Sequence, residues 1–478
     1  MITVNRFLEK PAHPFAPVLA ILFVSGFRLL IELGLYKSNL DMIGLFRGFL
    51  ITISFYLVIY FLFAAILSVS LSRPLDKVAK IASIGLLFGL LPPLLDLFAG
   101  SPAYLRYTYF RHLSWSLFSS SQPLGESLTL WLVILATGMF VAFNAKSILR
   151  GLAALSFTYA VFLICSGVFL LVSRLTSRVA LWINVAWLAV AFVSYLFLRR
   201  RALLRSFSRL HHAIPHSMLA ACGAGWVGVS LADAISAVII VFFVVFLLII
   251  QNDYYDRLDD RQAGEKTGPN FGDVVWSNFF GFVCGLWLFQ AKPLLGLIMF
   301  LFFVVGLLYQ HPAVRLKTRF CLSYKAEGVA GLLAFLGGAA GGGGFSSEAS
   351  LLVPGLLVLG GATLVSIPKD YKDGEADRRA GIPTYYVVLT GRGKSERKVH
   401  LWISTCVTVC LLVPPMVCLA LGGPVWAGMA MTALALAAWV ALVMVKNRRR
   451  AVGIMLGLVG AYLLVLTLSA GALRGKLM

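Results

Sequence analysis

Apolar runs of about 18 residues or more, each long enough to cross roughly 30 Å of hydrocarbon as a helix, recur from one end of this chain to the other. The pattern predicts fifteen spans, near 14–35, 43–70, 80–99, 127–145, 151–172, 180–198, 216–232, 234–251, 273–290, 293–309, 327–342, 350–367, 399–420, 425–445 and 452–472. Only helices or closed barrels satisfy backbone polar groups in lipid, and runs of this length are helices. The division between 216–232 and 234–251 rests on Asp233 and the small residues around it.

Composition agrees with a membrane protein. Of 478 residues, 60% are hydrophobic and 13% charged, and the mean hydropathy is +0.89, far from soluble domains. The net charge of +21 suggests a nucleic-acid partner until the charges are located. With a cytoplasmic N-terminus, most of the 41 Lys and Arg fall in loops on that side, and Arg28 and Arg47 fall within spans. That asymmetry is the positive-inside rule, and it needs no polyanion. A cell (inner) membrane location, multi-pass and without nucleic acid, is expected. The seven cysteines show no CxxC pair or metal-ligand spacing, so they read as apolar packing. The first span is too long for a signal-peptide core, so the start of the chain is expected to be retained.

The basic stretch Arg199 to His212 is the longest polar break in the first half and divides the chain into 1–204, with six spans, and 205–478, with nine. Half of the 20 Asp and Glu lie between Asp253 and Asp273 or between Asp370 and Asp377. Ionisable groups at membrane helix ends are costly unless paired or liganded, so this clustering marks a functional site. The two windows repeat each other: DYYDRLDDRQAG, Asp253 to Gly264, and DYKDGEADRRAG, Asp370 to Gly381, share D-Y-x-D-x-x-x-D-R-x-A-G. An internal duplication that sets two equivalent sites face to face explains the match.

In each copy the acids stand at 0, +3 and +7, which places Asp253, Asp256 and Asp260, and likewise Asp370, Asp373 and Asp377, on one face of a helix continuing from its span. Three carboxylates on one face repel, and a hard divalent cation relieves them; all-oxygen ligands suit Mg²⁺ or Ca²⁺. Magnesium prefers one or two carboxylates plus phosphate oxygens, so paired sites across a cleft imply a diphosphate between them. Asn252 adds a neutral oxygen or an amide donor. The competing reading is a solvated helix end paired with Arg257, Arg261, Arg378 and Arg379. The ligand spacing and loop glycine of an EF-hand are absent.

These residues carry a resemblance. NDYYDRLDD resembles the NDxxDxxxD motif of UbiA-type intramembrane prenyltransferases, KDYKDGEADRRAG resembles their second motif, and YQHPAVRLK, Tyr309 to Lys317, is similar to their YSxPxxRLK segment. All three stand in the family's order, over about residues 205–478. The resemblance implies an all-α polytopic protein with a UbiA-like bundle of nine helices around a cavity opening to the cytoplasm, preceded here by about six additional transmembrane helices. It implies that Asn252, Asp253, Asp256, Asp260, Asp370, Asp373 and Asp377 hold magnesium and diphosphate, the catalytic burden falling on Asp253, Asp256, Asp370 and Asp373. Arg315, Lys317 and Lys369 would neutralise phosphate charge, with Arg261 and Lys266 as further candidates. Metal and cations stabilise the leaving diphosphate, so the protein need supply no nucleophile. Accordingly there is no G-x-S-x-G elbow or Walker loop, and Gly337 to Gly344 reads as a flexible turn.

The expected reaction transfers a polyprenyl group from its diphosphate to a lipophilic acceptor, first an aromatic quinone precursor. Phosphoribosyl transfer to a polyprenyl phosphate, and a transporter or lipid-binding protein, are the alternatives. The loop RQAGEKTGPNFG, Ala376, and the tail GIPTYYVVLTG depart from the family pattern and leave the acceptor open. Tyr309 and His311 read as packed or interfacial residues beside the site. Asp96 after Pro92 and Pro93 reads equally as a buried kink residue or an exposed one, and the segment Ser101 to Trp115 as a membrane-interface anchor. The six N-terminal spans carry no motif, leaving scaffold, partner-binding and lipid-handling roles open.

Overall fold

A computed structural model describes residues 12–36, 42–98, 124–173, 177–260, 268–342, 349–372, 374–379, 381–420 and 422–477. The described residues are helical throughout. In chain order the helices are α1 (Ala16–Tyr36), α2 (Met42–Leu71), α3 (Leu75–Leu87), α4 (Leu91–Phe98), α5 (Leu124–Ala145), α6 (Ile148–Ser173), α7 (Ser177–Arg199), α8 (Leu204–Ser208), α9 (Ala213–Val227) and α10 (Leu231–Asp260). They continue with α11 (Phe271–Ala291), α12 (Pro293–Gln310), α13 (Leu322–Ala339), α14 (Ala349–Ser366), α15 (Gly374–Arg379), α16 (Tyr385–Gly391), α17 (Glu396–Ala420), α18 (Val425–Met444) and α19 (Arg448–Leu477). Ten helices among the described residues are long and apolar enough to cross a membrane. The protein is therefore an all-helical, polytopic membrane protein with about ten candidate spans, fewer than the fifteen read from the sequence. Three further apolar segments lie at Ala16–Ile31, Ile148–Ile164 and Trp187–Arg199, within α1, α6 and α7.

Contacts divide the chain into two units, one of residues 1–204 with 267–291 and the other of residues 205–266 with 292–478. The first unit is built on aromatic packing. Phe61 lies 4.6 Å from Trp276 and 5.7 Å from Phe280, ring centre to ring centre, and Phe192 meets Phe280 edge-on at 5.1 Å. A polar clasp adds to it. Arg199 donates from Nε and Nη2 to the two oxygens of Asp273 at 2.7 and 2.6 Å, and Tyr195 donates to Asp273 Oδ1 at 2.7 Å. The backbone N–H of Asn270 donates to Asp273 Oδ2 at 2.7 Å, and Arg199 also pairs with Asp76 at 3.2 Å. Asp273, at the first turn of α11, is buried by these partners.

The second unit relies on close helix crossings. A Cβ at Gly223 would stand 1.9 Å from the Phe335 carbonyl oxygen, and one at Gly338 would stand 1.8 Å from that of Ala220, so α9 and α13 meet backbone to backbone. Gly338 therefore serves a crossing inside α13, and a Cβ at Gly337 would meet the Met299 side chain of α12; the glycine run is not simply the flexible turn expected, and residues 343–348 lie outside the described part. The break between α9 and α10 is also displaced. It falls at Gly228, whose φ of +73° ends α9 in the left-handed conformation glycine favours. Asp233 instead lies in the first turn of α10, where Ser230 bonds it and Lys292 pairs with it.

Candidate active site

The first acidic motif forms as the sequence predicts: α10 runs without interruption to Asp260, since no proline or glycine follows its apolar stretch. Asp253 and Asp256 lie one turn apart on one face. Asp253 is fully buried. Ser206 Oγ donates to its Oδ2 at 2.6 Å, Arg209 Nη1 donates to its Oδ1, and Arg205 Nε stands 3.9 Å away. Asp256 is 25% exposed. It accepts from Asn252 Nδ2 at 2.6 Å and from Lys317 Nζ, and Arg209 reaches it at 3.5 Å. Burial opposes the charge on Arg209, yet the carboxylates of Asp253 and Asp256 hold its guanidinium charged, above its ordinary range.

Arg205, Ser206 and Arg209 come from the basic stretch that the sequence marked only as a boundary. The signal was its density of Arg; its partner was invisible because the pairing is tertiary.

The second acidic motif departs from expectation. Pro368 lacks a backbone N–H and disfavours helix in the residue before it, so α14 stops at Ser366. Asp370 then lies on the tight helical turn Pro368–Lys372 and Asp377 on the separate helix α15. The three acids of this copy thus do not share one continuous helix face. Asp370 accepts from Tyr324 on α13 at 2.7 Å. The backbone carbonyl of Asp377 accepts from Ile382 at 2.8 Å. Asp373, Arg261 and Lys266, and the side chain of Asp260, lie outside the described residues, as do the side chain of Asp96 and the segment 101–115.

Lys369 is not aimed at an acidic motif; it pairs with Glu327 on α13 and lies 6.0 Å from the Tyr309 ring. His216 on α9 feels the Glu327 carboxylate and packs on Phe302 at 5.7 Å. Glu327 and Tyr324 escaped the sequence reading because a lone acid and a lone phenol near the start of an apolar helix carry no spacing signal.

Tyr371, between Asp370 and Asp373 in sequence, stacks on His400 at 3.7 Å, and the Arg448 guanidinium lies 4.8 Å from its ring centre. His400 Nε2 lies 2.7 Å from the Leu442 carbonyl oxygen, so it carries the hydrogen and donates it. Nδ1 then accepts from the Tyr386 hydroxyl at 2.9 Å. Burial pushes the Tyr386 phenol well above its ordinary range, which keeps that donor protonated.

The basic segment lies between the two motifs. On the first side, Gln310 Nε2 donates to Gln251 Oε1 at 3.5 Å, His311 packs on the Tyr255 ring at 5.6 Å and Lys317 holds Asp256. On the second, Tyr309 approaches Lys369. Arg315 stands at φ +45°, a left-handed conformation that costs a non-glycine residue roughly 1–3 kcal/mol and persists only where surroundings enforce it. The Arg315 N–H donates to the His311 carbonyl at 2.8 Å, and Thr318 Oγ1 donates to the Arg315 carbonyl at 3.0 Å.

The match to the UbiA prenyltransferase family spans residues 274–456. That part of the chain is UbiA-family sequence. It takes in the basic segment and the second motif, and begins after the first motif, inside α11. Among solved structures, a UbiA homolog from Archaeoglobus fulgidus bound to Cd²⁺ is 18% identical, covering 57% of this chain and 98% of its own, with a TM-score of 0.41. A digeranylgeranylglyceryl phosphate synthase is 15% identical over 56% of this chain and 98% of its own, at 0.40. An Archaeoglobus fulgidus UbiA homolog bound to DMAPP and Mg²⁺ is 19% identical over 56% and 99%, at 0.39. None of the curated proteins compared with the chain matches it.

The donor chemistry fits magnesium shared with phosphate. Asp253, Asp256 and Asn252 offer hard oxygens on one helix face, the one or two carboxylates that Mg²⁺ prefers before phosphate and water complete its shell. Among the described residues no group of three or more His, Cys, Asp or Glu is gathered for a metal held by protein alone. Arg205, Arg209 and Lys317 stand beside the same carboxylates as phosphate-matched cations.

Proposed function

We propose that this protein transfers a polyprenyl group from an isoprenoid diphosphate to a lipophilic acceptor, with an aromatic quinone precursor as the first acceptor class, at a site facing the cytoplasm of the cell membrane. The observation that carries the reading is the basic segment Tyr309–Lys317, which lies between the two acidic motifs and is itself UbiA-family sequence. Asn252, Asp253, Asp256 and Asp260 of the first motif, and Asp370, Asp373 and Asp377 of the second, are assigned to magnesium. When bound, the metal supplies Lewis-acid stabilisation of the departing diphosphate.

The remaining work falls to side chains. Lys317 and Arg209 pair with Asp256 and Asp253 and would turn to phosphate oxygens when diphosphate enters, leaving the carboxylates to the magnesium whose charge offsets that of the diphosphate. Arg315 and Lys369 are further phosphate-matched cations, and Arg261 is assigned the same role from its place in the sequence. Tyr324 holds Asp370, and Glu327 holds Lys369, so the second wall keeps its orientation before substrate arrives. Apolar helix faces exclude water from the prenyl chain and leave the acceptor as the competing nucleophile.

The test uses full-length protein in nanodiscs with labelled geranylgeranyl diphosphate, a panel of aromatic and glyceryl acceptors, and Mg²⁺ or EDTA. A prenylated product that needs Mg²⁺ and falls at least about 100-fold in Asp253→Asn and Asp370→Asn supports the reading. Undiminished turnover in both variants rejects the site assignment, and no prenylated product from any acceptor rejects the reaction.

A further inference from the structure

We propose that Glu327 is the base that takes the acceptor's proton during prenyl transfer, an inference that rests on the transferase reading above. From Gly328 to Ala339 its helix, α13, carries only glycine and apolar residues, so Glu327 is the last ionisable side chain on the way into the bundle. An acid so placed is costly unless a partner or a function holds it. Its partners come from three other elements of the second unit. Lys369 Nζ, on the turn after α14, donates to its Oε1. The Tyr309 hydroxyl, at the end of α12, donates to the same carboxylate, and His216, in the first turn of α9, stands near enough to feel its charge. The pair is not sealed: the side chains of Glu327 and Lys369 are 25% and 32% exposed, which leaves the carboxylate within reach of a bound molecule.

Its depth matches the reacting atom. Three residues earlier on the same face of α13, Tyr324 donates to Asp370, the first acid of the second motif. Glu327 therefore lies about 4.5 Å further along the helix axis than the side chain that holds Asp370. In an allylic diphosphate the reacting carbon, C1, is bonded directly to a phosphate oxygen. With the diphosphate at Asp370 and the prenyl chain running inward, C1 falls at the level of Glu327 rather than at that of the motif.

The chemistry needs a base there. The C1–O bond breaks and its electron pair leaves with the diphosphate, while a carbon or oxygen of the acceptor forms the new bond to C1. The adduct carries the positive charge until the hydrogen on its attacking atom departs as a proton. Such an adduct is a strong acid, so a carboxylate suffices to accept that proton, and the motif aspartates are assigned to magnesium. Lys369 makes the base conditional on substrate. While it pairs with Glu327 the carboxylate is neutralised; when phosphate oxygens draw the ammonium away, the carboxylate is released beside C1, with Tyr309 still bonded to it.

Full-length protein in nanodiscs decides it, given labelled geranylgeranyl diphosphate, Mg²⁺ and an acceptor that it prenylates, with prenylated product and geranylgeraniol counted in the same reaction. In Glu327→Gln, which keeps the size of the side chain and an oxygen for Lys369, prenylated product is expected to fall about 100-fold or more. Mg²⁺-dependent release of geranylgeraniol is expected to persist, because the allylic cation still forms and water captures it. The ratio of alcohol to product therefore rises. Glu327→Asp, a carboxylate of shorter reach, is expected to raise the ratio less, and it keeps the test open should the Gln variant not run monodisperse. A ratio that rises in neither variant, whether both products fall together or only the KM for the prenyl diphosphate changes, confines Glu327 to holding Lys369 and overturns the proposal. Failure of the unaltered protein to prenylate any acceptor overturns the transferase reading instead, and this inference with it.

Discussion

Asp256 receives Lys317, Asn252 and Arg209 at once, and that crowding makes a prediction about a single side chain. A hydrogen bond to a charged group is worth about 1.5–3 kcal/mol. Lys317→Gln, which keeps a polar side chain, one bond shorter, but not the charge, is therefore expected to lower kcat/KM for the prenyl diphosphate roughly 10- to 100-fold. Lys325→Gln, on α13 and exposed, serves as the control. Equal loss in both variants would show that Lys317 contributes only general positive charge. His400 acts at one remove, through the ring of Tyr371. His400→Phe keeps the stack on Tyr371 but removes the bonds to Tyr386 and Leu442. Supporting residues of this kind tune metal affinity by about 10- to 100-fold. The Mg²⁺ concentration for half-maximal turnover is expected to rise by that order, beside a fall in melting temperature from the buried Tyr386 hydroxyl left without its acceptor, and an unchanged Mg²⁺ dependence would detach His400 from the second motif.

Glycine decides how the elements of the second unit approach. At Gly338 a methyl would meet the Ala220 carbonyl of the crossing helix, an atom that moves only if α9 itself moves. Overpacking of that sort costs about 1–3 kcal/mol or more. Gly338→Ala is expected to lower the melting temperature of detergent-solubilised protein by several degrees, whereas Gly360→Ala on α14, where nothing stands within 4 Å of the added carbon, leaves it unchanged or higher. Similar shifts in the two would deny the crossing its importance. The same comparison shows what the sequence could and could not announce. The helix through Asp253 and Asp256 was legible, because an apolar run continues into the motif with no breaker. The second motif was read as a copy of the first although Pro368 and Gly374 stand at its start and centre; the acidic repeat outweighed local backbone chemistry that was already visible. Ser206, Arg209, Tyr324 and Glu327 had no pattern to betray them, since each acquires meaning only from a partner more than 40 residues away or on another helix.

At the scale of the whole molecule, chain order and packing disagree about helix α11. It follows the first acidic motif in sequence and contains the start of the family match, yet its contacts place it with residues 1–204. The clasp on Asp273 and the aromatic contacts of Trp276 and Phe280 with Phe61 account for this. A fragment of residues 1–204 would therefore expose the aromatic surface that α11 covers and leave Arg199 without its carboxylate. It is expected to aggregate on solubilisation, whereas residues 1–204 joined through a short linker to residues 267–291 are expected to run as a monodisperse species on size exclusion. The clasp itself can be dissected in the full chain. Arg199→Met strands a buried carboxylate, a loss of about 3–5 kcal/mol, while removing both charges together is far less costly. Arg199→Met alone is thus expected to depress the melting temperature strongly, and the double variant Arg199→Met with Asp273→Asn to regain part of the loss. If the double variant melts below the single one, Asp273 is held by Tyr195 and the Asn270 N–H rather than by charge, and the clasp is a hydrogen-bonded cap on α11 instead of an ion pair.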